Sequence, residues 1–206
     1  MLAGYGRLTV STTYRKQDEL KKASKALQMP PVETLGPSWH LRRIDEVVET
    51  DSSTLDAAIP GFQRSQKLIF GSLVGNAASS SDAAFSDFNP GYNMSLAQVP
   101  PLSGNALHGH KAPERFICAR GRFRITHGMP DLPGGQHEVE LDEGDSVTVP
   151  PMCVRSFTNT SESKDACILT IVPGESFVQW HQATIDQAIA HGANCDEHGQ
   201  LLPVPP

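Results

Sequence analysis

From Tyr92 onward the chain is cut into short strand-like runs by glycine, proline and acidic turns. NMSLAQV stops at Pro100-Pro101. RFICA and RFRIT flank Arg120-Gly121 as the arms of a hairpin. HEVEL runs into the turn DEGD, and SVTVP, VRSFTN and ACILTIV follow. Runs of this length, at the ~8–12-residue spacing of sandwiches and barrels, predict an all-β domain rather than a helix bundle. The 17 glycines and 16 prolines among 206 residues fit a turn-rich chain. An earlier strand is expected at KLIFGSLV, 67–74, before the polar loop NAASSSDAAFSDFNPGY.

The flanks read differently. Residues 12–28 carry Leu20, Ala23, Ala26 and Leu27 at helical spacing, and Pro30-Pro31 stops that helix. Residues 40–50 suit a short helix or a strand. ATIDQAIAH, 183–191, is an amphipathic helix ended by Gly192. The expected organisation is an N-terminal extension over 1–65, a β-barrel over 66–175 and a C-terminal extension over 176–206.

Bulk properties exclude several function classes. The formal charge of -6 gives no general attraction to a polyphosphate. The basic cluster Arg115, Arg120, Arg122 and Arg124 is matched by the acidic run HEVELDEGD, so no nucleic-acid partner is expected. No run approaches the ~20 apolar residues of a membrane span. The first residues lack a signal-peptide pattern, and the cytoplasm is the expected location. Cys118, Cys153, Cys167 and Cys195 form no CxxC pair, and the first three read as small buried residues. No GxxxxGK[ST] phosphate loop, GxGxxG or GxSxG motif is present.

The segment GNALHGHKAPERFICARG carries the chemistry. His108 and His110 share one face of an extended chain, and Glu114 keeps the same parity. Two imidazoles and a carboxylate can occupy one side of a metal's coordination sphere and leave positions open for small molecules. Alternation adds Phe116 and Cys118 to that face, and Phe157 to the face of Arg155. Gln98 is a polar candidate on an earlier strand. Lined this way, a pocket would be apolar with few polar groups, suited to a small aromatic or a short organic acid. Phe123 and Ile125 are expected inside, with Arg122 and Arg124 outside. His127 and His137 stand near strand ends, as pocket or loop residues.

His108-x-His110, three residues, Glu114, six residues and Gly121 resemble the first motif of the cupin superfamily. Gly144, Pro150 and Asn159 resemble the second. The resemblance covers roughly 92–175 and implies a double-stranded β-helix, a jelly-roll barrel, with extensions containing short helices. It implies a divalent metal held by His108, His110 and Glu114: Fe(II) foremost, or Mn(II), Ni(II) or Zn(II). A homodimer and a small-molecule substrate are implied too. Leu102 and Met152 stand where the motifs carry glycine. Arg155 stands where the second motif carries its last metal-binding histidine, which marks this chain as a variant.

Two readings of Arg155 follow. In one, the three ligands hold the metal and Arg155 binds an anionic substrate oxygen. In the other, Arg155 pairs with Glu114 and metal binding is lost. The leading function expected is a metal-dependent dioxygenase acting on a small organic acid or aromatic compound. The alternatives are a non-redox lyase or isomerase, and a binding or sensor protein without turnover.

Overall fold

A computed structural model describes residues 43–49, 54–71, 90–129, 134–174 and 178–202. The chain divides into two compact units, Met1–His40 and Leu41–Pro206, and every described residue belongs to the second. The helix expected over 12–28, its Pro30-Pro31 stop, most of the polar loop after Val74 and the final PVPP lie outside the described residues.

Among the described residues, ten strands form two antiparallel sheets. They are β1 (Ser65–Phe70), β2 (Tyr92–Gln98), β3 (His108–Gly109), β4 (Glu114–Arg120) and β5 (Arg122–Gly128). The rest are β6 (Gln136–Asp142), β7 (Ser146–Val149), β8 (Arg155–Asn159), β9 (Cys167–Pro173) and β10 (Gln179–Trp180). One sheet runs β1-β2-β9-β4-β7 and the other β10-β3-β8-β5-β6. From β2 to β9 the chain passes from one sheet to the other at every step except the β5–β6 hairpin, the order of a cupin-like jelly roll. The helix α1 (Gln182–Ala190) follows β10. The stretch 40–50 contributes a 3₁₀ turn, Ile44–Glu46, and a single bridge from Glu49 to Lys67.

Strand alternation builds the core. In β5, Phe123 and Ile125 are buried while Arg122 and Arg124 face out. Phe116 of β4 and Phe157 of β8 join them, with edge-on ring contacts of 5.9 Å between Phe116 and Phe157 and 6.0 Å between Phe123 and Phe157. Ile168, Val149 and Leu141 complete this centre. Each such side chain stabilises the fold by about 1.5–3 kcal/mol through burial. Outside, Arg122 meets Asp142 at 2.7 Å and Arg124 meets Glu140 at 2.7 Å. These pairs are exposed and add little.

Turn positions take two forms. A Cβ on Gly104 would collide with the Phe157 carbonyl, so β8 can lie against this loop only if the residue is glycine. Leu102 and Met152, by contrast, hold positive φ of 60° and 59° with their side chains exposed. They adopt the left-handed backbone that glycine takes without cost.

The segment before β1 packs into the same body. Leu55 and Ile59 meet Ile185 and Ala188 of α1 in a second apolar cluster. Beside it, Arg64 grips Asp56 through two bonds of 3.0 and 3.2 Å, both side chains being buried. The expected boundary at 65/66 therefore falls within packed structure.

Candidate metal centre

Three residues converge at one end of the barrel. His108 opens β3 in one sheet and Glu114 opens β4 in the other; the chain crosses between them through Lys111, Ala112 and Pro113. His110 lies on the crossing. Strand parity alone does not produce the triad, because the segment bends between the sheets. His108 Nε2 is 3.6 Å from Glu114 Oε2 and His110 Nε2 is 3.5 Å from it. All three side chains are buried, and their ligand atoms lie within 4.8 Å of one another. Such a set can coordinate a divalent metal, and it does not select which one.

The surroundings fit that use. Glu114 Oε2 is buried without a hydrogen-bond partner, an expensive state that a cation relieves. Burial pushes the Glu114 carboxyl up, but His108, His110 and Arg155 outweigh it and hold it below its ordinary value. The Nδ1–H of His108 donates to the Ala106 carbonyl at 2.9 Å. That bond fixes Nδ1 as a donor and directs Nε2 toward Glu114. Asp56 in turn accepts the Ala106 N–H at 2.9 Å, and Arg64 Nη1 donates to the Gly104 carbonyl at 3.2 Å. The segment before the barrel thus braces the loop that carries His108. On the other side, the Trp180 ring packs 5.7 Å from His108.

Arg155 corrects the expectation of a variant motif. The His-His-Glu set is complete in itself, and Arg155 stands outside it rather than in place of a ligand. Its side chain is wholly buried and does not line the cavity. Nη2 donates to the Pro150 carbonyl at 2.6 Å. Nη1 is 3.6 Å from Glu114 Oε2, beyond hydrogen-bond reach, so the carboxylate is not locked away from a metal. Burial pushes the guanidinium down from its ordinary value, and Glu114 opposes that shift.

The triad opens onto a cavity of ≈ 80 Å³. One water needs ~10–15 Å³ by the same measure, so there is room for a handful of non-hydrogen atoms. The expected residues divide. Phe157 lines the cavity with the triad. Phe116 and Cys118 are fully buried in the core behind it. Gln98 is exposed on the opposite face of β2 from Ser95 and Ala97, in a separate groove with Pro100 and Lys164. The expected apolar lining is replaced by a mixed one: Gln66, Ser95, Asn105 and Thr170 share it with Leu68 and Val172. The sequence carried no motif for these polar residues, nor for Asp56, Arg64 and Trp180.

Other candidates lie elsewhere. His127 and His137 stack across β5 and β6 with centroids 5.2 Å apart, outside the cavity. All four cysteines are free thiols. Asn159, from the second motif, is a structural lock. Its Nδ2 donates to the Val99 and Ser163 carbonyls, and its Oδ1 accepts from Ser161. Among the described residues, no helix is long and apolar enough to cross a membrane.

No family model and no curated protein matches the chain. Solved structures align with it at low identity. Vicilin from Corylus avellana (hazelnut) does so at 14% identity and a TM-score of 0.45, over 67% of this chain and 36% of that one. A variant of oxalate decarboxylase from Bacillus subtilis does so at 18% and 0.45, over 68% and 32%. An oxalate oxidase does so at 13% and 0.48, over 70% and 64%. The chain spans about a third of the length of the vicilin and decarboxylase chains. Activity has to be argued from the site itself.

Proposed function

We propose that the protein is a metal-dependent enzyme that acts on a small organic acid by non-redox chemistry, as a lyase or isomerase. The observation that carries this reading is the buried triad with an unpartnered Glu114 Oε2 at the wall of a small, partly polar cavity. Charge balance supports an acid. Glu114 and Arg155 offset each other, as do Asp56 and Arg64. A divalent ion on two neutral imidazoles would then leave positive charge uncompensated in a buried place, and a carboxylate answers it.

His108, His110 and Glu114 would hold the ion, which when bound supplies Lewis acidity toward a carboxylate or enolate oxygen. The chain's own residues do the rest. The Ala106 carbonyl holds His108 in the Nδ1–H tautomer and keeps it aimed. Arg155 keeps Glu114 ionised from behind and has a positioning role. Trp180 and Phe157 screen the site from water. Lewis-acid chemistry works with any of the ions these ligands accept, whereas dioxygenation requires a redox-active one such as Fe(II). An iron dioxygenase is the second reading. It is favoured by the three-residue ligand set, which leaves positions for both substrate and dioxygen.

The test is turnover of a panel of short acids by the metal-loaded protein in a sealed oxygen-electrode cell. Product formed without oxygen uptake supports the proposal. Uptake matched to product would replace it with the dioxygenase, and tight binding without product would replace it with a binding protein.

A further inference from the structure

The wall of the cavity contributed by the β1-β2-β9 side carries a chain of side-chain hydrogen bonds. Gln66 Nε2 donates to Ser95 Oγ at 2.9 Å, and Ser95 Oγ and Thr170 Oγ1 are 2.8 Å apart. The three residues stand on β1, β2 and β9, neighbouring strands in one sheet, and Ser95 and Thr170 are directly opposed in register. All three line the cavity that holds the triad.

Counting hydrogens shows what this chain is left to do. Ser95 accepts from Gln66. The two hydroxyls bring two hydrogens and share one bond, whichever of them donates. One hydroxyl hydrogen is therefore left without an acceptor among the described residues. A second donor stands nearby in the lining. Asn105 Oδ1 accepts the Phe157 N–H at 2.6 Å, which orients the amide and leaves its Nδ2 hydrogens without an acceptor among the described residues. Donors aligned in a chain polarise one another and strengthen the last bond.

These donors are neutral, as is Trp180 Nε1, a third buried donor of this lining without an acceptor among the described residues. Arg64, the one arginine in this lining among the described residues, is held by both carboxylate oxygens of Asp56. An acceptor oxygen on the ligand is thus provided for, and a second negative charge is not.

We infer that the cavity recognises a short hydroxy or keto acid: its carboxylate is taken at the triad, and its neutral second oxygen accepts from the Ser95–Thr170 hydroxyls and Asn105. This rests on the acid-binding reading of the triad given above. The room for a handful of atoms suits an acid of two to four carbons, by the ~10–15 Å³ measure of one water.

The experiment is calorimetric titration of the metal-loaded protein with acetate, glycolate, glyoxylate and malonate. The wild-type protein is compared with the double variant Ser95→Ala, Thr170→Val. Glycolate and glyoxylate are expected to bind about tenfold tighter than acetate, as one well-made hydrogen bond to an otherwise unsatisfied donor allows. Malonate is expected to gain nothing over acetate. In the double variant the tenfold preference is expected to fall to about twofold or less, with acetate and metal affinity unchanged.

Equal binding of acetate and glycolate by the wild type would overturn the inference. So would malonate as the tightest ligand, or a preference that survives in a folded double variant. A second oxygen can also chelate the ion, so the loss of preference in a folded variant carries the decision; if the double variant fails to fold, the single variant Thr170→Val makes the same test. Metal bound at the triad with none of the acids binding would instead overturn the acid-binding reading itself, and this inference with it.

Discussion

The two ends of the barrel are built from the same strands and differ in what fills them. One is packed dry, with Phe116, Phe123, Ile125 and Ile168 fully buried and no polar partner required. The other keeps a cavity walled by imidazoles, hydroxyls and amides, and it buries Glu114, Arg155, Asp56 and Arg64. The dry end is stabilised by its own burial. The wet end buries charges at a cost, so it depends on exact pairing and on residues from outside the barrel that hold the pairs in place. A fold can keep such an end only if the other end supplies the surplus of stability.

That contrast can be broken most forcefully at the dry end. Phe123→Ala is expected to cost about 3–5 kcal/mol in chemical denaturation, equally with and without metal. A loss seen only in the metal-loaded protein would mean the two ends are not separate. Asp56→Ala has a comparable expected cost, about 3–5 kcal/mol, because it leaves Arg64 buried and unpaired. Its signature differs. It also frees the loop carrying His108 and should weaken metal affinity by about 10–100-fold, read by competition with a chelating dye.

Smaller effects sharpen the picture at the surface. Leu102→Gly and Met152→Gly should each stabilise the protein by about 0.5–1 kcal/mol, since each relieves a left-handed backbone with an exposed side chain. A lower melting temperature would show that those side chains have contacts of their own. The smallest change is expected from Glu140→Gln. Slight burial pushes the Glu140 carboxyl up, but Arg124 and Thr160 outweigh it and hold it below its ordinary value. Its contribution is therefore complete above the ordinary carboxylate range and is lost as pH falls through the lowered value. Added salt should erase the difference between variant and parent in thermal melts.

The same contrast explains what the sequence made legible. The dry end is written in period-two alternation, so RFRIT and RSFTN reveal their inward faces directly. The ligands His108, His110 and Glu114 are legible because they stand close together in sequence. Their convergence is not a matter of parity, since they join two sheets across a bend. The brace from Asp56 to Ala106 and the hydroxyl chain across β1, β2 and β9 join residues from 29 to 75 positions apart. Ser95, Thr170 and Gln66 are ordinary strand residues taken singly, and only the sheet register brings them together. Gln98 falls outside the cavity of the triad for an equally local reason: it is one position out of phase with Ser95 and Ala97. Motif spacing reads Arg155 as a substrate clamp in a ligand's place or as a partner of Glu114; its bond to the Pro150 carbonyl depends on a turn that the motif spacing does not describe.

The central claim is that His108, His110 and Glu114 form a working divalent-metal site without Arg155 as a ligand. It is tested most directly by metal content per chain after anaerobic reconstitution and gel filtration, for the parent protein and for Glu114→Ala. About one ion per chain is expected in the parent. The variant's affinity should fall by more than the ~10–100-fold typical of losing a supporting residue, leaving it essentially free of metal after filtration. A parent that retains no metal, or a folded Glu114→Ala variant that retains as much as the parent, would contradict the account.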